Sequence, residues 1–88
     1  MAGVINLMVI ADFDTNGFMQ PRTILWKDGR KFEIDRIKDF LPNYPIKYIG
    51  QCFRYTVEIQ GKTRQLYFRK TDDQEPSQVG RWFVPMKN

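Results

Sequence analysis

Two aspartates, Asp28 and Asp35, are the side chains whose chemistry best suits a general acid and base pair. Asp28, however, is the middle residue of the predicted turn Lys27–Gly29, a position that favours Asp because its carboxylate accepts backbone hydrogen bonds. Asp35 stands beside Arg36, where a salt bridge or a backbone cap is a simpler role than proton transfer. Both aspartates are therefore interpreted as structural.

Other potential nucleophiles and metal ligands are few. The acidic cluster of Asp72, Asp73 and Glu75 lacks the alternating oxygen ligands and the glycine of a calcium-binding loop. Cys52 and Ser77 are the only residues of their types, and the chain has no histidine to activate either one. The six glycines stand singly, so no phosphate-binding loop is present. The sequence therefore predicts no catalytic residue, no metal site and no cofactor, and it argues against an enzyme.

Length and composition limit the elements that can position these side chains. A chain of 88 residues makes one domain, 1–88, and buries only about 60% of its unfolded surface. Seven Phe, four Tyr and two Trp supply the core, because each large ring buries roughly 150–250 Å². A deep ligand pocket is not expected at this size. The single cysteine excludes an intramolecular disulfide.

The first predicted hairpin is a run of alternating apolar and polar residues on either side of Gly29. A three-residue turn that ends at Gly29, with this glycine left-handed, pairs Ile24 with Phe32 and puts both on one face with Trp26. A two-residue turn would split the same apolar residues between two faces. The favoured register sets Arg30 opposite Trp26, where the guanidinium can stack on the indole.

The second predicted hairpin spans Cys52–Lys70. Its first strand alternates apolar and polar side chains, as expected of a strand with one buried face. A two-residue turn at Gln60-Gly61 pairs Tyr55 with Leu66, so that the apolar sets of the two strands share a face.

The remaining segments complete an all-β fold. Val4–Phe13 predicts a first strand, and Gly80–Pro85 predicts a terminal one that the proline stops. Ile34–Leu41 fits either a bulged strand or a short helix, and the bulge is expected near Asp35-Arg36. Leu41–Gly50 and Thr71–Gly80 are predicted as loops. The expected architecture is a small antiparallel meander of five or six strands that closes into an SH3-like or similar barrel.

One spaced pattern runs through most of the chain. It consists of Trp26, Asp28, Gly29, Arg30, Phe32, Ile34 and Asp35, then Arg54-Tyr55-Thr56, Gly61, Leu66 and Gly80–Val84. This pattern resembles a family of short bacterial proteins that has no established activity. The resemblance covers roughly residues 21–85 and implies a compact β fold in a bacterial cytoplasm. Cytoplasmic localisation also agrees with the apolar start, which lacks a basic leader and is shorter than the about 20 residues that span a bilayer.

Charge and aromatic residues predict a binding module rather than a catalyst. The net charge is +4, and Arg54–Lys70 holds five cations against the single acid Glu58. The predicted register places Tyr67 between Arg54 and Arg69 on the polar face of the second hairpin. An exposed tyrosine between two arginines combines a stacking platform with phosphate contacts, as single-stranded nucleic acid requires.

The alternative is a protein–protein adaptor. Tyr44 and Tyr48 on the predicted loop, with Trp82 on the terminal strand, would form an aromatic groove beside an open edge. Such a site captures an extended peptide. The sequence therefore leaves open whether the partner is a nucleic acid or a protein, predicts no membrane partner, and does not specify an oligomeric state.

Overall fold

The computed structural model describes residues 3–47, 49–70 and 80–85, and within them it contains seven strands and no helix. All strands belong to one antiparallel sheet with the order β3-β2-β1-β7-β6-β5-β4. The described part of the chain accordingly holds no helix that could cross a membrane. The strands are β1 (Val4–Phe13), β2 (Met19–Leu25), β3 (Lys31–Glu33), β4 (Arg36–Ile46), β5 (Gly50–Ile59), β6 (Lys62–Lys70) and β7 (Gly80–Pro85).

The sheet curls because its two edge strands, β3 and β4, are consecutive in the chain. The two residues between them bond to opposite edges. Ile34 N–H donates to the carbonyl of Arg22 on β2 at 2.9 Å, and Asp35 N–H donates to the carbonyl of Glu58 on β5 at 2.8 Å. One bent segment therefore connects both ends of the sheet, which confirms the small, barrel-like all-β fold. It has seven strands rather than the five or six expected.

The first hairpin has the predicted register. Ile24 pairs with Phe32, Trp26 N–H donates to the Arg30 carbonyl at 2.8 Å, and Gly29 has a φ of 93°. The predicted stacking partner of the arginine is wrong, because the Arg30 guanidinium lies 5.4 Å from the centre of the Phe32 ring. Asp28 accepts hydrogen bonds from the backbone and the side chain of Arg30, as expected of a turn residue.

The second hairpin also has the predicted register, with Tyr55 opposite Leu66. Its turn residues Gln60 and Gly61 have φ angles of 53° and 77°, as in turns of type I′. Glutamine rarely adopts such an angle, and the Asp35 carboxylate holds this one by accepting a hydrogen bond from Gln60 N–H at 3.0 Å. Asp35 is therefore a backbone cap, one of the two structural roles expected of it.

The long strand β4 corrects two predictions. The segment Ile34–Leu41 forms no helix: from Arg36 onwards it belongs to the bulged strand β4, and the irregularity lies between Ile37 and Asp39 rather than at Asp35-Arg36. The predicted loop Leu41–Gly50 is wrong in its first half, since β4 continues to Ile46. A second irregularity between Leu41 and Tyr44 accommodates Pro42, whereas Pro45 lies in register opposite Gln51, and an edge strand tolerates the missing donors of both prolines. The predicted loop Thr71–Gly80 lies outside the described residues except for Gly80, which begins β7.

Candidate binding groove

The concave face of the sheet forms a groove with a volume of about 910 Å³. The groove is wide and open to solvent, so it does not contradict the expectation that so short a chain lacks a deep pocket. The groove is floored by apolar side chains from six of the strands, among them Ile5, Leu7, Ile24, Trp26, Phe32, Val57, Ile59, Leu66 and Val84.

Large rings close the opposite end of the same interior. Phe18 and Phe40 meet edge to face with ring centres 4.8 Å apart, and Tyr55 lies 4.8 Å from Phe40. The Tyr55 hydroxyl donates to the carbonyl of Met19 at 2.7 Å, which ties β5 to β2 across the interior. This set, with Phe53, Phe68 and Trp82, is called the aromatic plug.

Two aromatic side chains stay partly accessible in the groove. Trp26 and Phe32 are half-buried, whereas Tyr55 in the plug is 1% exposed. The hairpin at Gly29 positions both rings, because Trp26 directly follows β2 and Phe32 lies opposite Ile24 on β3. Arg30 covers one side of Phe32, and its Nε donates to Asp28 Oδ2 at 2.7 Å. The Arg30 backbone hydrogen bond lowers the pKa of Asp28.

Cations form the rim of the groove. Lys62 stands opposite Ile59 and Arg64 opposite Val57, so both cationic side chains leave the sheet on its concave face. Within the part of the chain that the structure describes, neither cation has a hydrogen-bond or ion-pair partner. None of the described residues that line the groove is acidic. An uncompensated positive rim above an aromatic floor suits an anionic ligand with flat apolar groups.

The predicted nucleic-acid residues Arg54, Tyr67 and Arg69 do not form the expected surface; they alternate with the core positions of the second hairpin, and Tyr67 also borders the groove. Tyr67 is 5% exposed, its hydroxyl donates to the Gln65 side chain at 3.1 Å, and burial raises its pKa. The Arg54 guanidinium lies over Tyr44 at 4.7 Å from the ring centre, and its buried Nε has no hydrogen-bond partner. Arg69 is exposed. The expectation of an exposed tyrosine between two arginines is therefore wrong.

The predicted peptide-binding residues are not brought together either. Trp82 is 8% exposed and packs against Phe68 on the concave side, whereas Tyr44 belongs to a separate cluster on the convex side. Strand β7 has neighbours on both sides, so it offers no open edge to a peptide. Tyr48 lies outside the described residues.

Cys52 is buried, as its predicted inert role requires. It is 2% exposed, and its thiol donates to the carbonyl of Gly50 at 3.6 Å. Burial raises the pKa of the thiol, although the nearby Arg69 opposes this effect. The thiolate, which is the reactive form, is thus disfavoured.

Sequence reasoning missed the rim, although the required signal was present. The predicted two-residue turn puts Lys62 and Arg64 on the same face of β6 as Leu66, which was predicted to face the core.

Comparisons with family models, curated proteins and solved structures found no match. The resemblance to short bacterial proteins therefore stays a prediction.

Proposed function

We propose that this protein is a non-catalytic binding module that holds single-stranded nucleic acid in the concave groove. The observation that carries the proposal is the combination of two accessible rings, Trp26 and Phe32, with the unpaired rim cations Lys62 and Arg64. Proteins that bind single strands combine a positive groove for the backbone with aromatic side chains on which bases stack.

Each part of the groove has a distinct role in this proposal. Bases stack on Trp26 and Phe32, a contact that is typically worth about 1–3 kcal/mol per base. Phosphates contact Lys62 and Arg64, which release counterions when the strand binds. Arg30 contributes less charge, because Asp28 is already paired with it.

An excess of positive charge favours the encounter with a polyanion but does not by itself select a face of the sheet. By sequence, residues 49–70 and 80–85 carry six cations and the single acid Glu58, and that acid is paired with Arg36 at 2.7 Å. Three of the six cations lie on the convex face, so the choice of the groove depends on its accessible rings and not on charge alone. A positive field of this kind speeds the encounter at low ionic strength. The mode of binding is expected to be tolerant of sequence, because every base has a face that can stack.

The salt dependence of binding tests the proposal. Fluorescence anisotropy of a labelled single-stranded oligonucleotide gives log K against log salt for the wild type, for a groove variant with Lys62→Ala and Arg64→Ala, and for a control. The control carries Arg69→Ala and Arg81→Ala, which remove the same charge from the convex face. Loss of two phosphate contacts should flatten the slope of the groove variant by about 1.4, at about 0.7 per contact on a single strand.

The two double variants separate the possible outcomes. The proposal expects the control to keep a slope close to that of the wild type. A flattened slope in the control alone would move the site to the convex face around Arg54 and Arg69. Absence of binding at low salt, to both DNA and RNA, would overturn the nucleic-acid function.

A further inference from the structure

The convex face of β1 and β2 carries an apolar stripe. Met8 is 70% exposed and Ile10 is 54% exposed, and both lie where β1 pairs with β2, beyond its pairing with β7. Leu25, opposite Met8, lies beside them and is half-buried. Single exposed apolar residues are ordinary, but neighbouring ones on one face of a strand pair mark an interaction surface.

Two cross-strand rows give this face its charge pattern. The first row runs from Met8 through Leu25 to Lys31 on the edge strand. The second runs from Ile10 through Thr23 to Glu33. Lys31 and Glu33 are both exposed. The first row therefore ends in a positive charge and the second row in a negative charge.

The two charges are not paired with each other. Among the described residues Lys31 has no ion-pair partner, and Glu33 accepts only the Thr23 hydroxyl, at 3.3 Å. Each row therefore consists of an exposed apolar residue on β1 and an uncompensated charge on β3.

We propose that this face binds a second copy of the same chain. A two-fold axis parallel to the rows and midway between them reverses the strand direction and keeps the lateral order of the strands. It lays the first row of one copy on the second row of the other. Met8 then lies over Ile10 of the partner subunit, and Lys31 meets Glu33 of the partner subunit.

Charge complementarity selects a second copy as the occupant. In an isologous interface each contact occurs twice, so the arrangement forms two ion pairs of Lys31 with Glu33 around the apolar centre. The groove opens on the other side of the sheet, and a dimer of this kind leaves it accessible.

Sedimentation equilibrium over a range of concentrations tests the dimer. The wild type should show a reversible monomer–dimer equilibrium. Met8→Glu should shift it to monomer, because the symmetric contact then buries a charge. Each single variant, Lys31→Glu and Glu33→Lys, should weaken the dimer roughly tenfold or more, since each places like charges opposite each other.

The variant with both charges exchanged is the decisive test. A chain with both Lys31→Glu and Glu33→Lys should dimerise about as well as the wild type, because each pair is restored with its signs reversed. Lys38→Glu, on the opposite edge strand, controls for net charge and should leave the dissociation constant unchanged. Circular dichroism verifies folding of each variant. A wild type that stays monomeric at every concentration, or a swapped chain as weak as the single variants, overturns the proposal.

Discussion

The two ends of the barrel interior are built from the same strands and differ in how they are closed. At one end large rings meet at 4.8 Å, and the Tyr55 hydroxyl bridges β5 to β2. At the other end the interior opens into the groove, where Trp26 and Phe32 remain half-buried below Lys62 and Arg64. The plug packs the interior, and the groove stays open, which is why we propose it as the binding site.

This contrast shows how a short chain combines a packed core with an open, cation-rimmed groove. On β6 the concave positions change from Phe68 and Leu66 in the interior to Arg64 and Lys62 at the rim. Replacing apolar residues by cations at the end of one strand stops the core there and supplies charge. Fold stability and binding are therefore expected to respond to different residues.

The largest expected effect is a difference in the loss of stability between a variant in the plug and a variant in the groove. Phe68→Ala in the plug should lower the free energy of unfolding by about 3–5 kcal/mol, as for buried phenylalanines generally. Phe32→Ala in the groove should cost less than about half of that, because the ring is only half-buried. Urea denaturation of both variants gives the comparison. Equal losses would mean that the groove aromatic is an ordinary core residue.

A backbone change at the open end should have a smaller effect. Gly29 has a φ of 93°, and a Cβ added there meets no atom within 4 Å. Gly29→Val should therefore cost more than about 1 kcal/mol through backbone strain alone. Gly29→Asn is the matched control and should cost less, since Asn tolerates left-handed conformations. A Val variant as stable as the Asn variant would contradict the strained turn.

Tyr55→Phe should remove the hydrogen bond between Tyr55 and Met19 while keeping the aromatic ring in the plug. Loss of the hydrogen bond to Met19 should cost about 1 kcal/mol near neutral pH. Thermal and urea unfolding at neutral pH measure this cost, and an unchanged stability would show that the bridge contributes nothing.

The same variant tests a pH dependence. Burial raises the pKa of Tyr55 from 10.0 to about 12. The stability that comes from this raised pKa is fully present below pH 10 and is lost as the pH rises towards 12. Over that window the wild type should lose more stability than Tyr55→Phe. Equal losses in both proteins would assign the alkaline transition to other groups, such as the buried Tyr67.

The sequence predicted the fold where local rules apply. Alternation and turn chemistry identified both hairpins and their registers, since Gly29 and Gly61 permit only a few turn geometries. The closure of the sheet was not predictable in this way. It depends on adjacent amides at Ile34 and Asp35 bonding to strands that are distant in sequence.

The surroundings of the candidate binding residues were predicted less well than the fold. The convex side of the second hairpin was treated as solvated, but β4 extends to Ile46 and packs Tyr44 against it, so Tyr67 is buried. Pro42 and Pro45 suggested a loop in this segment, but β4 is an edge strand, which tolerates prolines. The groove itself depends on the curvature of the whole sheet, which no single sequence motif predicts.

The two tryptophans provide the most direct test, because Trp26 lines the groove and Trp82 lies in the plug. Trp82→Phe leaves Trp26 as the only tryptophan, and Trp26→Phe leaves Trp82. Each variant is titrated with single-stranded oligothymidylate at low salt, with anisotropy of the labelled strand as an independent measure of binding. Trp26 emission should be quenched with the same midpoint as the anisotropy, while Trp82 emission stays constant. Binding that changes Trp82 emission, or that leaves Trp26 emission unchanged, would contradict the assignment of the groove.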